Sequence, residues 1–383
     1  MAKNRVIYQS QAVYAGPDKK GKTDSDWKHE TGTSNETAYA PVNQLKRVQS
    51  ANYGFDITRT DVNQFGQLAS IDRIILESPT VNFDSSWYMC NFFNEDAVGL
   101  FVNPTGSLGV GAATGILTDI LENHAGERNY YVRVVSEGKD AVGYESSDES
   151  SGPSHVVGIG NGFLSNWSCE AAVGGFPTAS MTVEGLNINF TTGSSGATAT
   201  GLAPWVSGAN GGANDTKQFS LPAATESGSS TNNVKVIKPG DITLSLPNDQ
   251  GGADLDDVKV QSFNASVDLS REPLQKLGSR YAYAREIQFP ITATLSVDGL
   301  VGEMETGNLA NIVDNNLDQD ITVNFATSDE DNFMKIIMRD AKLDSQSLSQ
   351  GIGDNQTVTY NWSAQIGSSS QTGIGLFLSG NKA

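Results

Sequence analysis

The sequence predicts an all-β protein with one or two short helices, built from two tandem copies of one domain. The first observation is a repeat: residues 46–75 align without a gap to residues 258–287, and Val48-Gln49-Ser50 returns as Val260-Gln261-Ser262. The second is that apolar and polar residues alternate in both copies, which is typical of strands with one buried face. The third is a polarity supplied mainly by Ser, Thr, Asn and Gly, as in turn-rich β-structures. A duplicated domain points first to assembly, because a surface repeated around a symmetry axis is needed in every copy.

The first matched strand of each copy has one apolar and one polar face. The two faces are Tyr53, Phe55 and Ile57 against Asn52, Gly54 and Asp56 in the first copy, and Phe263, Ala265, Val267 and Leu269 against Ser262, Asn264, Ser266 and Asp268 in the second. In both copies the alternation slips by one residue at the Gln-Ser pair, because Val48 and Val260 lie on the polar parity. Such a slip predicts a β-bulge or a strand end at the same place in each copy.

Further strands follow at matching places. A second pair has Val81, Phe83, Trp87 and Met89 against Thr80, Asn82, Asp84 and Ser86, with Ala293, Leu295 and Val297 against Thr292, Thr294, Ser296 and Asp298 as counterparts. A third pair alternates about Ala179, Met181 and Val183, and about Val358, Tyr360 and Trp362. We also match residues 130–135 with 320–325 and residues 155–159 with 334–338. Short helices are expected at 94–101 and 305–313.

The repeat sets the expected domain boundaries. They are an N-terminal arm over 1–40, a first domain over 41–192, a Gly/Ser-rich linker over 193–233, a second domain over 234–370 and a C-terminal tail over 371–383. The later matches use a smaller offset, so the first copy carries roughly thirty extra residues, a length typical of functional loops. We place these extra residues at 103–115 and 146–151.

Composition excludes several classes of function. The net charge of −19 is opposite in sign to that of proteins that grip nucleic-acid phosphates. The two cysteines, Cys90 and Cys169, are interpreted as small buried apolar residues. No apolar run has the length of a signal peptide or of a membrane helix, so we expect assembly in a reducing host cytoplasm and no membrane partner.

Catalytic and metal-binding patterns are thin. The three histidines are not at metal-ligand spacing, and neither cysteine recurs in the second copy. The best calcium candidate is 314–320, which has oxygen ligands at alternate positions but lacks the glycine at its sixth position and the final Glu of a calcium loop. A polar loop before a strand is the interpretation that this pattern favours. We therefore expect no catalytic residues, no cofactor and no enzymatic activity.

These residues resemble the tail tube proteins (major tail proteins) of tailed bacteriophages. The resemblance covers both copies and rests on Val48-Gln49-Ser50, Asp56-Ile57-Thr58-Arg59, 61–66, Ile71-Asp72-Arg73, Pro79-Thr80-Val81 and the closing 352–358. It implies β-sandwich domains that contribute strands to a closed ring barrel, with rings stacked into the tube through which DNA leaves the capsid. Most members of that family carry one domain per chain and form sixfold rings, and this chain departs from that pattern by its duplication.

The resemblance implies a virion location and a set of partners. The partners would be further copies of this chain, terminator, baseplate or tip proteins, and a sheath in some tails, while genomic DNA passes without specific binding. Three doubled chains would supply six domain positions, so we predict trimeric rings with pseudo-sixfold symmetry. An acidic or polar lining would repel phosphate and let DNA slide.

Two sets of site residues follow from the repeat. The polar faces carry Asp but no Lys or Arg, and we predict that they face the lumen through Asn52, Asp56, Asn82, Asp84, Asn264, Asp268, Thr294 and Asp298. The loops 58–72 and 270–284 are long in both copies and are predicted to reach a neighbouring subunit or ring, with Arg59, Arg73, Arg271 and Arg285 pairing with carboxylates. The alternative for these arginines is pairing within their own domain.

A second class of function stays open on sequence alone. A carbohydrate- or receptor-binding β-protein of a phage tail or cell surface would use exposed aromatic side chains. Four of the five tryptophans, Trp27, Trp87, Trp167 and Trp205, lie outside the second copy, and Trp362 lies inside it. Exposure of these rings would favour that alternative.

Overall fold

The computed structural model shows a nearly all-β chain dominated by one large antiparallel sheet. It describes residues 8–16, 42–104, 114–118, 120, 127–135, 139–142, 154–192, 199–202, 218–222, 224–225, 237–245, 259–278, 281–300, 318–326, 334–351, 355–366 and 373–380. The predicted helix at 305–313, the inserted segment at 146–151, most of the segment at 103–115 and residues 314–317 of the calcium candidate lie outside these ranges.

The described strands are numbered in chain order. The first half of the chain contributes β1 Gln11–Ala15, β2 Asn43–Gln44, β3 Val48–Asp56, β4 Arg59–Val62, β5 Asp72–Ile75, β6 Thr80–Tyr88, β7 Val102–Pro104, β8 Glu127–Val134, β9 His155–Ala172, β10 Thr178–Gly185 and β11 Asn187–Thr192. The rest contributes β12 Ala199–Leu202, β13 Gln218–Leu221, β14 Ile242–Ser245, β15 Lys259–Asp268, β16 Arg271–Leu274, β17 Ala284–Ile287, β18 Thr292–Leu300, β19 Gln319–Phe325, β20 Met334–Ser349, β21 Thr357–Gln365 and β22 Gly375–Gly380.

The two copies have the same strand order. The first runs β3-β6-β10-β9-β8 and the second β15-β18-β21-β20-β19, with all neighbours antiparallel. The long strands β9 and β20 pass from one layer to the other: their C-terminal halves pair with β10 and β21, and their N-terminal halves pair with β8 and β19. The repeat in sequence is therefore a repeat in topology.

The main apolar core lies between the layers. Alternation on β6 places Val81, Phe83 and Trp87 inside, each at most 2% exposed. The ring of Phe83 meets that of Tyr130 on β8 at 5.5 Å between centroids, and in the second copy Phe263 on β15 meets Phe325 on β19 at 6.1 Å. Contacts between these facing strands are what makes each copy a two-layer unit.

The predicted bulges are confirmed in both copies. The β3–β6 register shifts between Val48 and Ser50, and the β15–β18 register shifts between Val260 and Ser262. A second duplicated irregularity, which the sequence does not predict, shifts β9 against β10 and β20 against β21. Bulges at the same places in both copies give the β3–β6 and β9–β10 pairs the same registers as their counterparts β15–β18 and β20–β21.

One predicted correspondence is wrong by one residue. Tyr130 pairs with Ile159 and Ile321 pairs with Met338, so Tyr130 corresponds to Ile321 rather than to Asp320. The reason is a register shift in both strand pairs, which sets Asn129 and Asp320 at equivalent irregular positions. The residue before each is equivalent as well, since Arg128 pairs with Gly162 and Gln319 with Ala341.

The segments predicted as arm, linker and tail contain strands of the body. β1, within the predicted arm, pairs with β8, and β22, within the predicted tail, pairs with β20 and in parallel with β7 of the first copy. In the predicted linker β12 pairs with β13, and Leu221 and Ala224 are buried in a small core with Tyr14. These short apolar segments gain their stability from packing on the body, which composition does not reveal.

The first predicted helix is confirmed in a shorter form. α1 spans Phe93–Val98 and ends at Gly99, whose φ of 103° is in the left-handed region that favours glycine. Its inner face buries Glu95, Ala97 and Val98. The helix covers the first-copy core at the end of β6.

Candidate assembly surfaces

The two copies are joined edge to edge. β9 of the first copy pairs with β15 of the second over seven residue pairs, from Ser262 opposite Ala172 to Asp268 opposite Asn166. The joint is extended by backbone hydrogen bonds from Leu269 to Ser165 and from Val173 to Gln261, at 2.7 and 2.9 Å. It makes one continuous eight-stranded layer, β3-β6-β10-β9-β15-β18-β21-β20.

One face of this layer is polar throughout. The structure places all eight of the predicted lumen residues, Asn52, Asp56, Asn82, Asp84, Asn264, Asp268, Thr294 and Asp298, on this face, and each is exposed. The shared parity arises because side chains on neighbouring antiparallel strands that lie opposite each other point to the same side. Whether the face borders a lumen stays a prediction.

The fixed charge on the polar face is mostly negative. The carboxylates are those of Asp56, Asp84, Glu170, Glu184, Asp268 and Asp298. Among the described residues of the eight strands, the cations on this face are Lys259, at the start of β15, and Lys342, where β20 passes from one layer to the other. The sequence missed Glu170 and Glu184, since both depend on knowing that β9 and β10 lie inside the layer.

A row of hydroxyl groups crosses the same face. Ser50 lies 2.6 Å from Ser86, Ser168 lies 2.7 Å from Ser180, and Ser266 lies 2.8 Å from Thr294, measured between side-chain oxygens. Cross-strand hydroxyl pairs of this kind satisfy each other without a fixed charge. The face is therefore polar, weakly acidic and poor in groups that would hold an anion.

The outer edges of the layer are the counterparts of the two joined strands. β3 corresponds to β15, and the C-terminal half of β20 corresponds to that of β9. Residues that the joint buries are exposed at these edges: Ala265, Val267 and Leu269 are at most 1% exposed, whereas Phe55 and Ile57 are 55% and 39% exposed. On the other side Trp167 and Cys169 are fully buried, while their counterparts Gln346 and Leu348 are exposed.

A β-hairpin follows the first strand of each copy. β4 pairs with β5 and β16 pairs with β17 in the same register, with Arg59 opposite Ile75 and Arg271 opposite Ile287. All described residues of β4 and β5 are exposed, whereas β16 and β17 are half-buried in several positions. The two hairpins are thus equivalent in build and different in environment.

The second hairpin is held against the first copy of the same chain. Arg285 donates to the backbone oxygens of Glu184 and Gly185 at 3.0 and 3.3 Å. The guanidinium carbon of Arg271 lies 4.2 Å from the ring centroid of Phe163. Burial lowers the pKa of Arg271 to about 10, against the opposing effect of nearby carboxylates, chiefly Glu286.

The prediction placed all four arginines at contacts between subunits. Arg271 and Arg285 instead contact the other copy within one chain, and Arg73 pairs with Asp61 of its own hairpin at 2.6 Å. Arg59 is exposed. The sequence cannot distinguish a neighbouring copy from a neighbouring chain, because the two have the same local sequence signature.

Burial favours the neutral forms of Glu95 and of the two core thiols. Glu95 accepts a hydrogen bond of 3.0 Å from the indole of Trp87, and burial raises the pKa of its carboxyl to about 7. Burial likewise raises the pKa of Cys90 to about 12 and that of Cys169 well above its usual range. Both cysteines are free and buried, as predicted, and such thiols are poor nucleophiles.

The described ranges contain neither a group of metal-binding side chains nor a membrane-spanning helix. Within them, no three His, Cys, Asp or Glu side chains come together in a way that could hold a metal ion. No helix in the described part of the chain is long and apolar enough to cross a lipid bilayer. The described tryptophans Trp87, Trp167 and Trp362 are at most 1% exposed.

No protein-family model matches the chain, and no curated protein matches it in sequence.

Proposed function

We propose that this chain is a structural subunit of a phage tail tube, in which each chain supplies two of the six domain positions of a ring. The observation that carries the proposal is the joint between its two copies. One chain contains an edge-to-edge contact between equivalent domains, and the counterparts of the two joined edges, at the ends of the layer, pair with no further strand among the described residues. A further chain can therefore add by the contact already present inside the first.

The contact is head-to-tail and not self-complementary. β3 and β20 are different surfaces, so each chain has one of each to offer, and addition continues until the ring closes. Closure also removes the free strand edges, which otherwise invite uncontrolled aggregation. The resemblance to sixfold tail tubes sets the number of domain positions at six, and hence the number of chains at three.

The polar face suits a DNA conduit. A conduit must not hold phosphate, and this face carries mostly carboxylates and hydroxyl groups. Electrostatic screening acts over about 8–10 Å in physiological salt, so charges on the wall of a narrow pore are felt across much of it. The buried state of the described tryptophans gives no support to the carbohydrate-binding alternative.

Electron microscopy of the purified protein tests the assembly. We expect rings or tubes with threefold symmetry and pseudo-sixfold domain positions. A ring of six chains would overturn the predicted stoichiometry. Discrete monomers at all concentrations and salt conditions would overturn the proposal itself.

The lumen assignment has a separate test. Replacing Asp56 and Asp268 with Lys adds cations to equivalent exposed places on the polar face of each copy. We expect normal tail assembly with slower DNA ejection, most clearly at low salt, because the introduced ammonium groups would bind phosphate. Exchanging the surface residue Lys238 for Glu is the control for a change of charge elsewhere. Unchanged ejection from fully assembled tails carrying the two lysines would show that this face does not border the DNA.

A further inference from the structure

The docking of the β16–β17 hairpin on the first copy is a template for how the equivalent β4–β5 hairpin could dock. The hairpin begins where the paired strand β15 ends, so edge pairing and hairpin docking form one continuous interface. Its receptor consists of the ring of Phe163 and the backbone oxygens of Glu184 and Gly185. The carboxylate of Glu127 is also close enough to favour the charged form of both Arg271 and Arg285.

The equivalent surface of the second copy lies at the outer end of the layer, with a lysine in place of the Phe163 ring. Strand registers equate Phe163 with Lys342, Glu184 with Ser363 and Gly185 with Ala364. The corrected match of β8 and β19 equates Glu127 with Asp318 and Asn129 with Asp320. Asn161 and Asp340 are equivalent too, since they have φ angles of 54° and 56° and each donates its backbone N–H to the side chain at the matched position, Asn129 or Asp320, at 3.2 Å.

Both receptors are acidic. The first has the carboxylates of Glu184 and of Glu127, which is hydrogen-bonded by the amide of Asn161, and the second has two facing carboxylates, Asp318 and Asp340. Asp320 adds a third, and Lys342 supplies one cation through its contact with Asp318. Burial and the adjacent Asp318 raise the pKa of Asp340, as expected for negative charge that is not fully compensated.

The first hairpin carries the matching cations in the matching register. Arg59 and Arg73 correspond to Arg271 and Arg285, and their hairpin is exposed over all its described strand residues. Its apolar side chains are exposed as well: Ile75 is 47% exposed, whereas its counterpart Ile287 is half-buried against the main core. Among the described residues, the strands of this hairpin are exposed and not docked on another part of the chain.

We propose that the hairpin β4–β5 of one chain docks on the second copy of a neighbouring chain, with Arg59 and Arg73 at the acidic receptor formed by Asp318, Asp320 and Asp340. This inference rests on the ring assembly of the proposed function, and it assigns the residues that decide which chains join. We expect the occupant to be a second molecule of this protein. Its β4–β5 hairpin has the same strand register as the β16–β17 hairpin, which docks on the first copy. The three carboxylates outnumber the one cation, Lys342, so the receptor presents net negative charge to the two arginines.

The acidic receptor has one competing occupant, a divalent cation. Carboxylates at 318, 320 and 340 are hard ligands of the kind that calcium prefers. In the described residues, however, they do not form a group that could hold a metal ion. Their position at the counterpart of an arginine-binding surface favours a guanidinium group.

Charge reversal at one partner at a time tests the contact. Arg59→Glu and Asp318→Arg each place like charges together at the interface, and both sites are exposed, so we expect each chain to fold normally by circular dichroism and thermal unfolding. Each single variant should raise the concentration needed for assembly by about tenfold or more, as expected for breaking a close interfacial charge pair. Lys238→Glu, on another surface, is the control and should assemble normally.

Recombination of the two charge reversals identifies the contact as one between chains. The double variant with Arg59→Glu and Asp318→Arg should assemble far better than either single variant, because every interface regains opposite charges. An equimolar mixture of the two single variants should form mixed dimers, which neither forms alone. Rescue in the double variant without mixed dimers would place the pair within one chain and overturn the inference.

The remaining outcomes separate this inference from the proposed function. If the wild-type protein forms rings and both single variants form them equally well, the hairpin contact is wrong and the tube proposal stands. If the wild type forms no rings, both fall. Calcium titration of the wild type is a further check, and loss of assembly on adding calcium chelator, restored by calcium alone, would assign the carboxylates to a metal instead.

Discussion

The equivalent strands β15 and β3 have opposite environments in this molecule. β15 is covered by β9, and its apolar residues Ala265 and Val267 are almost fully buried. β3 is the equivalent strand of the first copy, and the counterpart of Val267, Phe55, is more than half exposed. The two strands have the same alternation of apolar and polar residues. Their different exposure is therefore due to the strand that covers β15 and not to their own sequences.

The internal joint between β9 and β15 therefore serves as a template for how the equivalent exposed edge of β3 could be covered. A solvent-exposed strand edge with apolar side chains is normally blunted by charge, by proline or by a covering segment. β3 has Asp56 at its end, and its odd-numbered residues present unblocked backbone groups and aromatic rings. In the proposed ring, the partner of this edge is the C-terminal half of β20 of a second chain, which is the counterpart of β9 in the internal joint.

The largest expected effect comes from blocking the free edge of β3. Leu269 donates its N–H to Ser165, so odd-numbered residues of β15 point their N–H groups toward β9, and odd-numbered residues of β3 point theirs outward. Phe55→Pro therefore removes an outward donor while leaving the β3–β6 ladder intact. We expect folded chains that no longer form rings, as measured by light scattering and electron microscopy.

The control for this variant keeps the donor and removes the ring. Phe55→Ala should assemble at a higher protein concentration than the wild type, but it should still assemble. Equal assembly of Phe55→Pro and wild type would show that this edge is not used.

The next effect concerns a difference between the two cores. In the first copy Trp87 and Trp167 are buried over Glu95, whereas the corresponding positions of the second copy are Gly299 and Gln346. The pKa of Glu95 is raised from 4.5 to about 7, so ionisation destabilises the folded chain progressively as pH rises from about 4.5 to above 7. Glu95→Gln keeps an acceptor for Trp87 and should stabilise the chain by about 3 kcal/mol at pH 8.

Thermal or denaturant unfolding at several pH values measures this difference. At pH 4 both forms are neutral at this position, and the stability difference due to ionisation should vanish. A constant difference from pH 4 to pH 8 would contradict a raised pKa.

A smaller effect should separate the two equivalent hairpins. Arg271→Ala removes a guanidinium packed on Phe163 and should lower the stability of the single chain by about 2 kcal/mol, the size expected for a desolvated cation–π contact with its hydrogen bond. Arg59→Ala, at the equivalent exposed place, should leave that stability unchanged and weaken assembly. Chemical denaturation of dilute chains gives the first readout and assembly midpoints give the second. Equal losses of stability would mean that the first hairpin also docks within its own chain.

Much of the fold could be predicted from the sequence, because strand faces and the duplication depend on local pattern. Alternation gave the apolar faces of β3, β6, β10 and their counterparts, although that of β3 is largely exposed, and the parity slip at Gln49-Ser50 predicted both bulges. It also placed the eight polar-face residues together. The position of Glu170 and Glu184 on that face could not be predicted, since it depends on pairing between strands distant in sequence.

The remaining differences have the same physical origin. β1 and β22 are short segments that gain stability from long-range pairing, and their composition does not distinguish them from an arm and a tail. The match of Tyr130 with Ile321 required the bulge at Asn129, where sequence identity is too low to fix a register. For Arg271 and Arg285, the chemistry of the contact was foreseen in part, but the partner was the other copy and not another subunit.

Disulfide cross-linking at the free edges tests the central claim most directly. The register of the internal joint, where Asn264 lies opposite Glu170, places Asn52 of one chain opposite Ser349 of the next, on the exposed polar face. These are non-hydrogen-bonded positions, whose Cα atoms are about 4.5 Å apart in antiparallel pairs, within reach of a disulfide. The native cysteines are buried and should not interfere.

The account predicts that Asn52→Cys combined with Ser349→Cys, assembled and then oxidised, gives covalent dimers and trimers that end at a closed trimer on a denaturing gel. The out-of-register combination of Asn52→Cys with Ser347→Cys should give far less product. A ladder that continues to six chains would contradict the trimeric ring. No cross-linked product from well-assembled protein would contradict the edge-to-edge contact.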